Sequence, residues 1–187
     1  MAKLHSGATQ GNRDLERILL AIRTDLTSLT TLVNGIKTVF NGKGLLSKSG
    51  MAIGSTKPNV ANGALSYMIA GVEYAKAATA EGTALSGDNV PQAKYGAWAL
   101  DIDAAGTITI APAAANAAGY ASAVLAIAGL PAVAAAKVRL GWVTAINTGG
   151  VFDPGTTDLN AGTVTDTYTD ATSLYNDIGA AVTMTLE

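Results

Sequence analysis

The sequence predicts a mainly β protein, an antiparallel β-sandwich or jelly-roll-like domain, preceded by an N-terminal helix that forms a trimeric coiled coil. Three observations predict it. Apolar residues recur with a 4-then-3 spacing from Leu15 to Phe40, apolar residues from Met51 onward recur every second position in short runs, and glycine and proline turns separate those runs. A helix buries a stripe and a strand buries alternate residues, so the change of period marks a change of structural class. The resulting division is a flexible arm over residues 1–12, a coiled-coil helix over 13–41, a linker over 42–50 and a β-sandwich domain over 51–187.

The helical stretch has two apolar lines. Leu19, Leu26, Val33 and Phe40 occupy heptad position a, and Leu15, Ile22, Leu29 and Ile36 occupy position d. Two-stranded coils favour β-branched residues at a with leucine at d, and this order departs from that preference. Position g is also mostly apolar, with Ile18, Leu32 and Val39 beside Asp25. The stripe is therefore wider than a two-stranded seam needs, which predicts a trimer whose interface is the eight a and d residues. A stripe of this width also suits a helix docked on its own domain. The position ahead of a glycine break, and the different pattern beyond it, favour the oligomerising reading. Asn12 serves as the predicted N-cap, with Asp14 and Glu16 in the first turn, and Asn41-Gly42 closes the helix.

Beyond the glycines, Ala64–Val72, Tyr95–Asp103, Thr107–Ala111, Lys137–Asn147 and Asp177–Leu186 read as strands. Ala105-Gly106 joins the second and third as a hairpin. Trp98, Leu100 and Ile102 alternate with Ala97, Ala99, Asp101 and Asp103, which predicts a half-buried strand. Val138, Leu140, Trp142, Thr144 and Ile146 share one predicted face, and Trp98 and Trp142 are both expected in the core. Residues 116–129, rich in alanine and closed by Leu130-Pro131, are the remaining helix candidate, a crossover packed on a sheet.

Composition narrows the function classes. There is no cysteine, which excludes disulfides, thiolate chemistry and zinc fingers. Charged residues are 14 % and hydrophobic ones 49 %, with net charge −2, so the chain falls outside the disordered class. Residues 1–60 hold eight Lys or Arg against Asp14, Glu16 and Asp25, a balance of +5, whereas residues 61–187 sum to −7. The two ends are thereby suited to different partners, although ordinary solvated surfaces would give the same balance. Residues 1–17 contain no apolar core of a secretory leader. Residues 104–136 carry no charge, but Pro112, Asn116 and Pro131 interrupt them and alanine and glycine dominate. They read as buried small-residue packing rather than a membrane span.

Machinery for a reaction is hard to find. His5 is the single histidine and falls in the predicted arm, so no Ser-His-Asp site or histidine metal cluster can form. Asp101 and Asp103 share a strand face and could bind Ca²⁺, but no EF-hand spacing surrounds them, and a solvated strand face is the preferred reading. The other acids are scattered, and no pair is marked for glycoside hydrolysis. No phosphate-binding glycine motif occurs. Lys37, Lys43, Lys48 and Lys57 lack interleaved aromatics, so nucleic acid is not an expected partner. A glycan-binding module would require exposed rings, for which Tyr67, Tyr74, Tyr120, Tyr168 and Tyr175 are the candidates. The residue-level expectation is a structural protein, with no enzyme activity, cofactor or metal.

The stretch Leu130-Pro131-Ala132-Val133-Ala134-Ala135-Ala136-Lys137-Val138-Arg139-Leu140-Gly141-Trp142-Val143-Thr144, followed by Phe152-Asp153-Pro154-Gly155-Thr156-Thr157-Asp158-Leu159, resembles small virion proteins of tailed phages, namely head decoration, cement or head-fibre proteins. The resemblance spans about residues 51–170 and rests on turn and packing chemistry. It implies a homotrimer on the capsid exterior, with the major capsid protein as partner and no small-molecule substrate, membrane or nucleic acid. A tail-fibre or baseplate component binding a host surface is the alternative.

Overall fold

The computed structural model describes residues 4–172, with side chains described at 13–33 and 42–172. The chain divides at Phe40 and Asn41 into two compact units.

The first unit is helical. Helix α1 spans Leu4–Asn41, so it begins two turns ahead of the predicted Asn12 cap. No proline interrupts this stretch, and the helix runs through Gly7 and Gly11. The predicted arm is therefore largely helical, and His5 lies within it. Thr24, Thr27, Ser28, Thr30 and Thr31 each donate their hydroxyl to the carbonyl four residues earlier, at 2.8–3.1 Å. These hydroxyls are thus satisfied inside the helix.

The second unit is mainly β, and all strand pairs among its described residues are antiparallel. Its elements are β1 (Gly44–Leu45), β2 (Ala52–Ile53), β3 (Asn59–Asn62), β4 (Leu65–Ile69), β5 (Val72–Lys76), β6 (Thr79–Ala84), β7 (Tyr95–Asp103), β8 (Ile108–Pro112), α2 (Ala123–Ala128), β9 (Lys137–Asn147) and β10 (Val164–Asp170). They form three sheets with orders β1-β4-β5, β2-β3-β6 and β10-β9-β7-β8. One core joins all three, from Leu45, Val60 and Tyr67 to Trp98, Leu140 and Phe152. Trp98 is its largest member, fully buried, with its indole N–H donating to the Ser86 carbonyl at 3.0 Å.

Several expectations change here. Residues 42–50 are no linker, because Leu45 and Ser49 are buried and β1 pairs with β4. Ala64–Val72 is not one strand but the start of a hairpin, β4 to β5, turning at Ala70-Gly71 with φ of 51° and 80°. Both central residues at positive φ make a turn whose twist matches the strands. The predicted helix over 116–129 shortens to α2. Gly119, at φ 66°, breaks the first part, and the Ser122 side chain caps the rest by accepting from the Leu125 N–H. The Asn116 amide is spent on the backbone of Ala97, donating to its carbonyl at 3.1 Å and accepting from its N–H at 3.2 Å. The terminal strand expected at 177–186 lies outside the described residues.

Strand β7 is buried on both faces, not one. Trp98, Leu100 and Ile102 enter the main core, while Ala97 packs with Ala113 and Ala126 in a second cluster beneath α2. Strand β9 carries a bulge: Leu100 pairs with Gly141 and Asp101 with Arg139, so Leu140 is the extra residue. The bulge reverses the facing of everything after it. Val138 and Leu140 reach the core as expected, but Val143 and Ala145 follow them, and Trp142 and Thr144 turn to the α2 side. Trp142 is consequently half-buried and outside the main core, a correction to the strict alternation.

Candidate interaction surfaces

Three aspartates of the β unit, Asp101, Asp103 and Asp170, hold the fold together. Asp101, nearly buried, holds Arg139 through two bonds of 2.8 and 3.2 Å, and the same guanidinium donates to the Pro131 carbonyl at 2.9 Å. This ion pair ties the chain after α2 to the sheet, so Asp101 is neither a solvated residue nor a free metal ligand. Asp103 accepts from the N–H groups of Ala105 and Thr107, both at 2.9 Å, and thereby caps the β7–β8 hairpin. Asp170 accepts from the Ser49 hydroxyl and from the Gly50 and Met51 N–H groups, clasping the end of β10 to the chain leading into β2. Among the described residues no group of three acids or histidines stands where a metal ion could be held. A shallow, open hollow beside Ser66, Ala75 and Lys76 offers a single cation and no acid.

The tyrosines are packed. Tyr67 is buried, stacks on Tyr74 at 5.5 Å and donates to the Asp103 carbonyl at 2.8 Å. Burial, with the nearby Asp103 charge, pushes its ionisation up. Tyr120 accepts from the Ala115 N–H at 2.9 Å. Tyr168 is half-buried; its hydroxyl has no partner within bonding geometry. Burial first, and then Asp166 on the same strand face, pushes its ionisation well above the usual tyrosine range. No ring among the described side chains is exposed, and Tyr175 lies outside them.

Among the described residues, exposed apolar side chains gather in two places, with Val72 and Val151 exposed singly elsewhere. The first is the stripe on α1: Leu15, Leu19, Ile22, Leu26, Leu29 and Val33 are all exposed, from 41 % at Val33 to 62 % at Leu26, and Ile18 and Leu32 of position g join them. The side chains of Ile36 and Phe40 lie outside the described residues. Isolated exposure of such residues is ordinary, but a contiguous apolar strip is not.

The second is on the β unit. Residues 104–136, uncharged and expected to be buried, are largely at the surface: Val124 is 74 % exposed and Leu125 54 %, and Pro131, Ala132 and 134–136 are exposed beside them. Only Ala113, Asn116 and Ala126 of that run are buried. Small apolar side chains gave no signal to separate the two outcomes from sequence.

No described helix is long and apolar enough to cross a membrane. Comparison with family models, curated proteins and solved structures yields no match.

Proposed function

We propose that this chain is a decoration protein of a tailed-phage head, of the cement or head-fibre kind. It acts as a homotrimer on the outer capsid surface, bound to the major capsid protein, and stabilises the assembled shell. The observation that carries the reading is the α1 stripe, whose apolar residues at a and d are all exposed in the single chain from Leu15 to Val33. Covering about half of each of these side chains is worth roughly 1 kcal/mol apiece. Repeated around a threefold axis, that gain is of the size needed to offset the entropy lost on association. The three antiparallel sheets around one core then serve as a compact head of β-sandwich type, and the acids inside it are occupied by structural bonds rather than aimed at a substrate.

In this reading the N-terminal end makes the anchoring contact. An acidic shell would attract the +5 of residues 1–60 and repel the −7 of the remainder. Three copies of that end add their weak contacts together. A protein that binds only the assembled shell stabilises it by mass action. Particles lacking the chain should therefore assemble yet burst at lower temperature or osmotic stress. Equally robust particles that fail to attach to cells would replace this reading with the tail-fibre or baseplate one.

A further inference from the structure

The apolar face over α2 and residues 130–136 has no covering in the single chain, and within the same unit Lys43 reaches it. Lys43, three residues after Phe40, donates its ammonium to the Ala134 carbonyl at 2.9 Å and reaches that of Ala135 at 3.5 Å. The chain leaving the helical unit is thus pinned to this face. Three residues of chain span no more than about 11 Å, so wherever three helix ends meet, three such faces are brought close to the same axis.

Charge selects the same surface. The β unit, residues 41–187, carries seven Lys or Arg against eleven acids, a balance of −4, and identical acidic copies repel one another across most orientations. The run 104–136 carries no acid, and the cations beside it are held in place, Lys43 on the Ala134 carbonyl and Arg139 on Asp101 and the Pro131 carbonyl, so the acid–acid repulsion that separates copies elsewhere is least at this face. Of its exposed members, Val124 and Leu125 supply apolar area, while Pro131 and the alanines 134–136 are small enough to permit close approach of backbones. Such a patch is modest for free association. Tethering by the helices raises the local concentration to the millimolar range, where a modest patch suffices.

From this we infer that the face formed by α2 and residues 130–136 packs against the same face of the neighbouring copies, so that the β units form a joined head. The occupant is a second copy of this chain, and the inference rests on the trimer proposed above. Around a threefold axis equivalent residues converge, and the assembled head would bury the apolar surface that each chain alone exposes.

The absence of native cysteine makes the test direct. Full-length single-cysteine variants I22C, L125C, A134C and V151C would each be treated at low protein concentration with a short bismaleimide and resolved on denaturing gels. I22C reports the coil, and V151C, an exposed site in the loop beyond Asn147 at the other end of β9 from Lys137, is the background. The inference expects covalent dimers and trimers from I22C, L125C and A134C, and at least several-fold less from V151C. It also expects that adding L125E to A134C removes the second cross-link while light scattering still shows a trimer. Cross-linking of I22C with L125C and A134C no better than V151C would overturn the joined head and leave the coil standing. Failure of I22C itself would overturn the trimer, and this inference with it.

Discussion

At the scale of single residues, Gly141 carries more of the fold than its size suggests. It sits in the β9 bulge at φ 153°, and a Cβ there would collide with the Thr169 carbonyl and the Met51 side-chain methyl. Gly141→Ala combines backbone strain with overpacking, each of order 1–3 kcal/mol. The variant should lose about 2–5 kcal/mol in urea denaturation, and a loss under about 0.5 kcal/mol would show that the bulge is not needed. Asp101→Ala leaves the Arg139 guanidinium without its partner and should cost about 3–5 kcal/mol. Arg139 also holds Pro131, so the double variant Asp101→Ala, Arg139→Met should regain part of that loss; strict additivity would refute the pairing.

Tyr67 and Tyr168 set an alkaline limit. Each keeps its proton in the folded chain where the unfolded chain, near the ordinary tyrosine pKa of about 10, has released it. Their contribution is fully present below that pH and is lost as pH rises towards the folded values. The urea midpoint should fall above about pH 10, and Tyr168→Phe should flatten that fall. At neutral pH the same variant should be neutral or slightly stabilising, because it removes a hydroxyl that has no bond. Identical pH profiles for wild type and variant would contradict the assignment.

At the scale of elements, strongly patterned stretches were legible and small-residue ones were not. Strands β7 and β9 coincide with the runs Tyr95–Asp103 and Lys137–Asn147, and the β7–β8 hairpin turns through Ala104-Ala105 with Gly106 at positive φ, one residue from the expected place, because bulky alternate residues and a glycine leave a clear trace. Strand β10 escaped notice: Val164–Asp170 is threonine and aspartate with one valine and one tyrosine, and its pairing with β9 decides its conformation. The β4–β5 turn was hidden because alanine rarely takes positive φ. The bulge did leave a sign, a glycine inside a strand pattern, which marks such irregularities. Of the candidate surfaces, the α1 stripe could be read directly from its spacing. The Asp101–Arg139 pair could not, since it joins residues 38 apart through the β7–β9 register. For α1 the prediction is that Ile22→Asp with Leu29→Asp breaks the assembly, since three carboxylates would enter each of the two layers at several kcal/mol per charge. Sedimentation should then show single chains, and a persisting oligomer would place the interface elsewhere.

At the scale of the whole molecule, the proposal assigns attachment to the N-terminal end and spacing and bulk to the β unit. Deleting residues 1–11 should leave the assembly intact and abolish binding to empty capsids, and added salt should weaken wild-type binding. Undiminished binding of the truncated form would assign attachment to the β unit instead. Beneath these outcomes stands one claim, that the exposed stripe from Leu15 to Val33 is the seam of a homotrimer. Multi-angle light scattering of the purified full-length chain tests it most directly. The account predicts a mass three times the 18.8 kDa of one chain, unchanged on moderate dilution. A monomer at every concentration would contradict it.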